Sequence, residues 1–325
     1  MNKALCRRFV EHITEHVICK DLQQKRILSV LLIVVLIAGL TACGGKGSND
    51  DPDAPPRDNT PVVLETEASD KKEFSADGCK VDYSNTKKGY LMAKYTGSNS
   101  KVKLQLKAHG ETYNYDLPTK GNWEAFPLSS GSGEYSVGIY ENISGEEYRP
   151  VLQESFNADL KNEYQPYLHP NQYVDYTKKT KAVALSEEVC EGATSDLGAV
   201  ERIYNYTIDA ISYDYDKAKN VQPGYLPDID ETLQTGKGIC FDYASVMAAM
   251  LRAQKIPCKL VIGYAGSAYH AWISVYTKET GWVDDIIEFD GVKWRYMDPT
   301  FASSGDNSDP NVVGDGENYN PQYFY

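Results

Sequence analysis

Residues 236–244 read Gly-Lys-Gly-Ile-Cys-Phe-Asp-Tyr-Ala, and these residues determine which fold the chain is expected to adopt. The two glycines permit a tight turn, and apolar residues at helical spacing from Cys240 to Leu251 predict a helix after it. Cys240 then falls in the first helical turn, where the positive helix end favours an anion. A thiol in that position is more nucleophilic at neutral pH, and the nearby N–H groups can hold an oxyanion. The alternative is a small buried core cysteine.

A cysteine nucleophile needs a base within hydrogen-bond reach, and His270 is the candidate. Of the five histidines, it alone lies in a regular element of the C-terminal half. It begins the strand-like run His270-Ala271-Trp272-Ile273-Ser274-Val275-Tyr276. A purely structural histidine is the alternative.

A third group that orients the imidazole completes such a site. Asp298 is the candidate, because it ends another strand-like run and precedes Pro299, which favours extended backbone before it. Asp284, Asp285 and Asp290 are competing carboxylates. A simple turn at Asp298 is the alternative.

Three separated motifs together resemble the transglutaminase-like superfamily. They are residues 236–244, the run Val261-Ile262-Gly263-Tyr264 followed by His270-Ala271-Trp272, and Asp298-Pro299-Thr300. The resemblance covers roughly residues 211–301. It implies a papain-like α+β core, with Cys240 at a helix N-terminus and with His270 and Asp298 on neighbouring antiparallel strands. The stretch between His270 and Asp298 is longer than in the shortest family members.

The resemblance also implies acyl transfer from a peptide or glutamine carboxamide through a thioester on Cys240. Water as acceptor gives a peptidase or amidase, whereas a lysine-type amine gives a cross-link; hydrolysis is expected, because water is always present. Gln234 lies six residues before Cys240, the spacing of the oxyanion donor in papain-like proteases, with Tyr204 or Tyr206 as alternatives. A surface protein that binds peptide or glycan without catalysis is the competing hypothesis.

Residues 1–42 are predicted to be an export signal. Lys25 and Arg26 precede the charge-free apolar run 27–40, which is too short for a comfortable membrane span of about 20 residues. The run leads into Leu40-Thr41-Ala42-Cys43, which resembles a bacterial lipobox. Cys43 is therefore the expected lipidation site, and the expected location is the outer face of a cell membrane. An ordinary signal peptide is the alternative.

The rest of the chain is divided by composition into three parts. Residues 43–72, rich in Gly, Pro, Asp, Asn and Thr, are predicted to be a flexible tether. Residues 73–160 show short alternating runs between turn residues, which is typical of an all-β immunoglobulin-like or fibronectin-like sandwich. This module is interpreted as a spacer or as a substrate-binding unit. Residues 161–325 form the predicted transglutaminase-like domain, in which a helix packs on an antiparallel sheet.

The net charge of the chain and the motifs in its sequence limit the partners and cofactors that can be expected. The formal net charge is −13, and it becomes −16 without residues 1–42, which hold six Lys/Arg and three Asp/Glu. Such an acidic body disfavours nucleic acid as a partner. No nucleotide loop, haem motif or convincing metal cluster is recognised, so no cofactor or metal is expected, and residues 305–318 are interpreted as a solvated loop. The expected partner is a peptide, protein or peptidoglycan-peptide substrate.

Overall fold

A computed structural model describes residues 50–117, 121–278, 280–284, 287–289, 294–296 and 319–325, with the backbone alone at 287–289 and 294–296. The predicted export signal, the predicted lipidation site Cys43 and the candidate carboxylate Asp298 lie outside the described residues. So do Asp285, Asp290 and residues 305–318.

The N-terminal part of the described chain consists of two four-stranded antiparallel sheets. Its strands are β1 (Glu73–Ala76), β2 (Cys79–Asp82), β3 (Tyr90–Tyr95), β4 (Val102–Ala108), β5 (Glu111–Asp116), β6 (Glu124–Pro127), β7 (Gly133–Ser144) and β8 (Glu147–Ala158). One sheet has the order β1-β2-β3-β6 and the other the order β5-β4-β7-β8. Strand β4 shows why they form: its alternate residues are buried, as in a strand with one face on a core.

The two sheets contact each other through aromatic side chains. The ring centroids of Tyr115 on β5 and Phe126 on β6 are 4.9 Å apart, and those of Tyr83 and Phe156 are 5.2 Å apart. These residues belong to the same apolar cluster or pack against it. The predicted all-β module is therefore a pair of facing sheets. Its assignment to the immunoglobulin or fibronectin class stays a prediction.

The C-terminal part mixes helices and strands. Its helices are α1 (Lys181–Val189), α2 (Asp196–Ala210), α3 (Tyr215–Asn220), α4 (Ile229–Thr235) and α5 (Cys240–Ala253). Its strands are β9 (Ser212–Tyr213), β10 (Lys237–Gly238), β11 (Cys258–Ala265), β12 (Ala268–Thr277), β13 (Gly281–Val283), β14 (Ile287–Phe289), β15 (Trp294–Tyr296) and β16 (Tyr319–Phe324). The main sheet has the antiparallel order β13-β12-β11-β16.

Helix α5 lies at the centre of this part. Residues Tyr243 to Leu251 each expose 2% or less of their surface. A helix that is apolar all round must be covered on every side. Strands β11 and β12 cover one side, and α1, α2 and α4 cover others. The predicted arrangement of a helix on an antiparallel sheet is observed.

Residues 50–72 differ from the predicted flexible tether. Asp50 accepts a hydrogen bond from the backbone N–H of Thr194 at 2.7 Å, beside the start of α2. Arg57 donates to the carbonyl of Gln254, just after α5, at 2.9 Å, and the N–H of Val62 donates to Ala253 at 2.8 Å. Helix ends carry N–H and C=O groups without intrahelical partners. The segment binds mainly through these groups and also buries the side chain of Val63 in the apolar core. The polar composition of the segment gave no sign of these contacts.

Arg252 joins three parts of the chain that are far apart in sequence. It is 1% exposed, and its guanidinium donates to the carbonyl of Cys258 at 3.0 and 2.8 Å. It also donates to the carbonyls of His169 at 2.6 Å and Tyr325 at 2.7 Å. Burial lowers the pKa of Arg252. These hydrogen bonds to carbonyl dipoles offset part of the cost of burying its charge.

Replacing this arginine is expected to destabilise the whole C-terminal part. Arg252→Met should lower the free energy of unfolding by about 3 kcal/mol or more, because buried carbonyls lose their donors. The measurement is urea denaturation followed by circular dichroism. Lys178→Met is the control, because the ion pair of Lys178 with Glu65 is exposed on both sides and such pairs contribute about 1 kcal/mol or less. Equal losses in the two variants would contradict this account of Arg252.

Candidate active site

Cys240 is the first residue of α5, in the position that the sequence predicts. Ile239 precedes it in an extended conformation, with φ −98° and ψ 175°. The chain therefore enters the helix abruptly, and the side chain of Cys240 is half-buried. The N–H groups of a first helical turn have no partner four residues earlier. Those groups can donate hydrogen bonds to an oxyanion that forms beside the sulfur.

Asp242 fixes the start of α5, a role that the sequence analysis missed. Its carboxylate is fully buried and accepts hydrogen bonds from the N–H of Ile239 at 2.8 Å, the hydroxyl of Tyr225 at 2.5 Å and the ammonium of Lys217 at 2.8 Å. Its place in the third helical position, where a carboxylate can bind back to the residue before the helix, was a usable signal. Asp242 thus connects the nucleophile-bearing turn with α3 and with the loop that follows α3.

His270 lies on β12 opposite Gly263 of β11, and it is 7% exposed. Strand β12 packs directly against α5. Gly263 is required at its position, because a Cβ there would lie 2.2 Å from the carbonyl oxygen of Asn320 and 2.9 Å from the ring of Trp272. The absence of a side chain lets β16 and Trp272 approach closely behind the histidine.

Cys240 and His270 line the same cavity, which has a volume of ≈550 Å³. The helix supplies the sulfur and the adjoining strand supplies the imidazole; their joint catalytic role stays a prediction. The aromatic side chains of the lining are Tyr173, Tyr213, Tyr225, Phe241, Tyr269, Tyr323 and Tyr325. A reacting carbonyl in this cavity would meet a thiol, an imidazole and the start of a helix together.

The other candidates that the structure describes lie outside this lining. Gln234 is exposed on α4 and is not part of the cavity lining. Tyr204 and Tyr206 lie on α2, also outside the lining. Asp284 is exposed just after β13. Of the candidates within the described residues, Cys240 and His270 therefore share one cavity and Gln234 does not line it.

Comparison with known proteins supports the assignment of this region. Residues 183–285 match the family model of the transglutaminase-like superfamily, and the match contains both Cys240 and His270. The chain contains a transglutaminase-like domain. The UPF0252 protein MJ1282 of Methanocaldococcus jannaschii is 25% identical over 246 residues, which cover 69% of this chain and 68% of the relative.

Two solved structures are similar to parts of the chain. One is from Cytophaga hutchinsonii and is described as a proposed cysteine protease; it shares 12% identity over 73% of this chain and 83% of its own, with a TM-score of 0.37. The other is red sea bream transglutaminase, with 12% identity over 68% of this chain and 54% of its own, and a TM-score of 0.29.

Burial distinguishes Cys240 from the other described cysteines, because Cys240 is only half-buried. Cys79, Cys190 and Cys258 are buried free thiols. Burial raises the pKa of Cys79 and of Cys190 to about 11 and that of Cys258 to about 12. A raised thiol pKa keeps the sulfur protonated, and a protonated sulfur is a poor nucleophile. Among these four cysteines, reactivity at neutral pH is therefore expected at Cys240.

Alkylation with iodoacetamide at pH 7 tests this expectation. Cys240 should be modified about tenfold or more faster than Cys79, Cys190 and Cys258, as followed by mass spectrometry of tryptic peptides. The pH dependence should also differ, because the buried thiols gain thiolate only as the pH approaches 11. Equal rates at pH 7, or faster reaction at a buried thiol, would contradict the assignment of Cys240 as the reactive thiol.

The contact between Lys217 and Asp242 has its own test. Lys217→Met removes the cation from a fully buried carboxylate and should lower the free energy of unfolding by about 1–3 kcal/mol. Lys219→Met is the matched control, because Lys219 is exposed on the same short helix. Thermal unfolding of both variants measures the difference. A loss no larger than that of the control would mean that Lys217 does not stabilise the start of α5.

Proposed function

We propose that this chain is an extracytoplasmic, lipid-anchored cysteine enzyme that hydrolyses a peptide bond or a glutamine carboxamide through a thioester on Cys240. The observation that carries the proposal is the position of Cys240 and His270 on the lining of one cavity within a transglutaminase-like domain. Either residue alone would be compatible with a structural role. A half-buried thiol at a helix start beside a histidine is the arrangement that nucleophilic catalysis requires.

The first half-reaction forms the thioester. His270 takes the proton from the Sγ of Cys240, and the sulfur attacks the carbonyl carbon of the amide. The C–N bond then breaks, and the leaving amine or ammonia takes the proton from the imidazolium. The N–H groups in the first turn of α5 are the proposed donors to the oxyanion. Asp298 is proposed to hold the imidazole in the correct tautomer, as in related triads.

The second half-reaction releases the product. His270 takes a proton from water, the hydroxide attacks the thioester carbonyl, and the C–S bond breaks. The leaving sulfur takes the proton back from the imidazolium to give the free thiol, and the acid product releases a proton to solvent to give a carboxylate. A primary amine in place of water would give an isopeptide cross-link. Hydrolysis is preferred, because water is always present.

The proposed location rests on the segment before the described chain. The apolar run 27–40 and the lipobox-like Leu40-Thr41-Ala42-Cys43 support export and lipidation at Cys43. Among the helices of the described residues, none is long and apolar enough to cross a membrane. Outside the membrane, the available substrates include peptides, surface proteins and peptidoglycan stem peptides.

The test compares wild type with Cys240→Ala and His270→Asn on a library of glutamine-containing peptides. Activity should fall about 10³-fold or more in both variants, because each removes a group that bonds to or moves a proton at the reacting atoms. His109→Asn is the matched control, since His109 is exposed in the β module and its φ of 52° suits asparagine. Mass spectrometry would detect cleavage or loss of ammonia.

A labelled primary amine in the same reactions separates the two acceptors. Carboxylate products support hydrolysis, whereas incorporation of the amine without hydrolysis would favour cross-linking. Undiminished activity of Cys240→Ala would refute the proposed mechanism. Absence of any Cys240-dependent product would favour a binding protein instead.

A further inference from the structure

The catalytic cavity does not end at the transglutaminase-like domain. Asn114 and Asp116 of β5 line it together with Cys240 and His270. Gln172, from the segment between the two parts of the chain, also lines it and donates to the backbone carbonyl of Asp116 at 2.8 Å. The β module therefore forms a wall of the cavity rather than standing apart from it as a spacer.

A second cavity continues from the first. It has a volume of ≈510 Å³, and Gln172 and Leu226 line both cavities. Its other walls include Trp123 and Glu124 at β6 of the β module. The two cavities adjoin at these shared residues, and we call them together the module groove, which extends from the Cys240 cavity along the β module. A groove of this length suits an extended peptide better than a single amino acid.

The charges on the module groove have one sign. Asp116 lines the first cavity, and Glu65, Glu124 and Asp175 line the second. Neither lysine nor arginine occurs among the described residues that line either cavity. Carboxylates in a concave site with low-dielectric walls concentrate cations and repel anions. The groove therefore favours a substrate with basic side chains.

Lysines near the groove do not cancel this preference. Lys103 pairs with Asp116 at 2.5 Å and Lys178 pairs with Glu65 at 3.2 Å, but both pairs are solvent-exposed. Such exposed pairs contribute little to stability, and another cation can readily take the place of the lysine. A lysine or arginine of the substrate can replace these partners.

A buried amide also lies in the wall of the second cavity. Asn171 lines this cavity and is 6% exposed. Its Oδ1 accepts from the N–H groups of Tyr173 at 2.9 Å and Val174 at 3.1 Å, while its Nδ2 has no partner within the described chain. Buried donors are nearly always satisfied in native proteins. Because the Nδ2 atom is itself closed off from the empty cavity, a backbone carbonyl of a bound peptide would supply its acceptor only after the Asn171 side chain turns toward the groove.

We propose that the module groove binds an extended peptide with basic side chains and presents its amide to Cys240. This inference rests on the proposed function, because it concerns the substrate of the same site. It assigns to the β module the choice of substrate, through the carboxylates of Asp116 and Glu124.

The test measures binding without catalysis. Cys240→Ala is titrated against three fluorescent glutamine-containing peptides that differ only in flanking lysine, norleucine or glutamate, with fluorescence anisotropy as the readout. At low salt the lysine peptide should bind about three- to tenfold more tightly than the norleucine peptide, and the glutamate peptide more weakly still. Adding Asp116→Asn and Glu124→Gln should abolish the preference for lysine. Lys103→Gln, which frees Asp116, should strengthen it.

Glu154→Gln is the matched control, because it removes one carboxylate from an exposed position on β8 that lines neither cavity. It should leave the preference unchanged. Equal affinities for the three peptides, or a preference that survives the double substitution, would overturn the inference. Because the readout needs no turnover, failure of the proposed function would be recognised separately, as an inactive wild-type enzyme.

Discussion

The burial of helix α5 from Asp242 to Ala253 is the constraint on which the rest of the structure depends. A helix with apolar residues on all sides is stable only when neighbouring elements cover each of them. The strands β11 and β12 do so on one side, and three helices do so on others. Because β12 is part of that cover, it places His270, the first buried residue of the strand, on the lining of the cavity that Cys240 also lines. The shared cavity is thus a consequence of core packing rather than of a separate loop arrangement.

Two buried polar side chains stabilise the ends of this helix and give it a fixed orientation. Asp242 hydrogen-bonds both to the turn that carries Cys240 and to Tyr225, in the loop that lines the cavity. Arg252, near the other end, binds three backbone carbonyls from distant segments. Both groups are costly to bury alone and are satisfied only when those segments are in place. Their positions therefore make the geometry at Cys240 depend on correct folding of the whole C-terminal part.

The sequence predicted the local features that depend on spacing and helix chemistry. The helix at Cys240 and the strand at His270 are both observed. The sequence could not predict features that depend on contacts between distant residues. The binding of residues 50–72 to helix ends, the contribution of Asp116 to the cavity and the exposure of Gln234 all depend on tertiary packing. Spacing from Cys240 alone suggested a role for Gln234 without showing which way α4 faces.

The central claim is that the Sγ of Cys240 and the imidazole of His270 act on one carbonyl. It is tested most directly by a crystal structure of the enzyme treated with a peptide that carries a thiol-reactive group in place of its scissile amide. The account predicts a covalent bond at Cys240, the His270 ring nitrogen within about 4 Å of the sulfur, and the peptide in the module groove. An adduct on another cysteine, or an imidazole turned away from the modified sulfur, would contradict it.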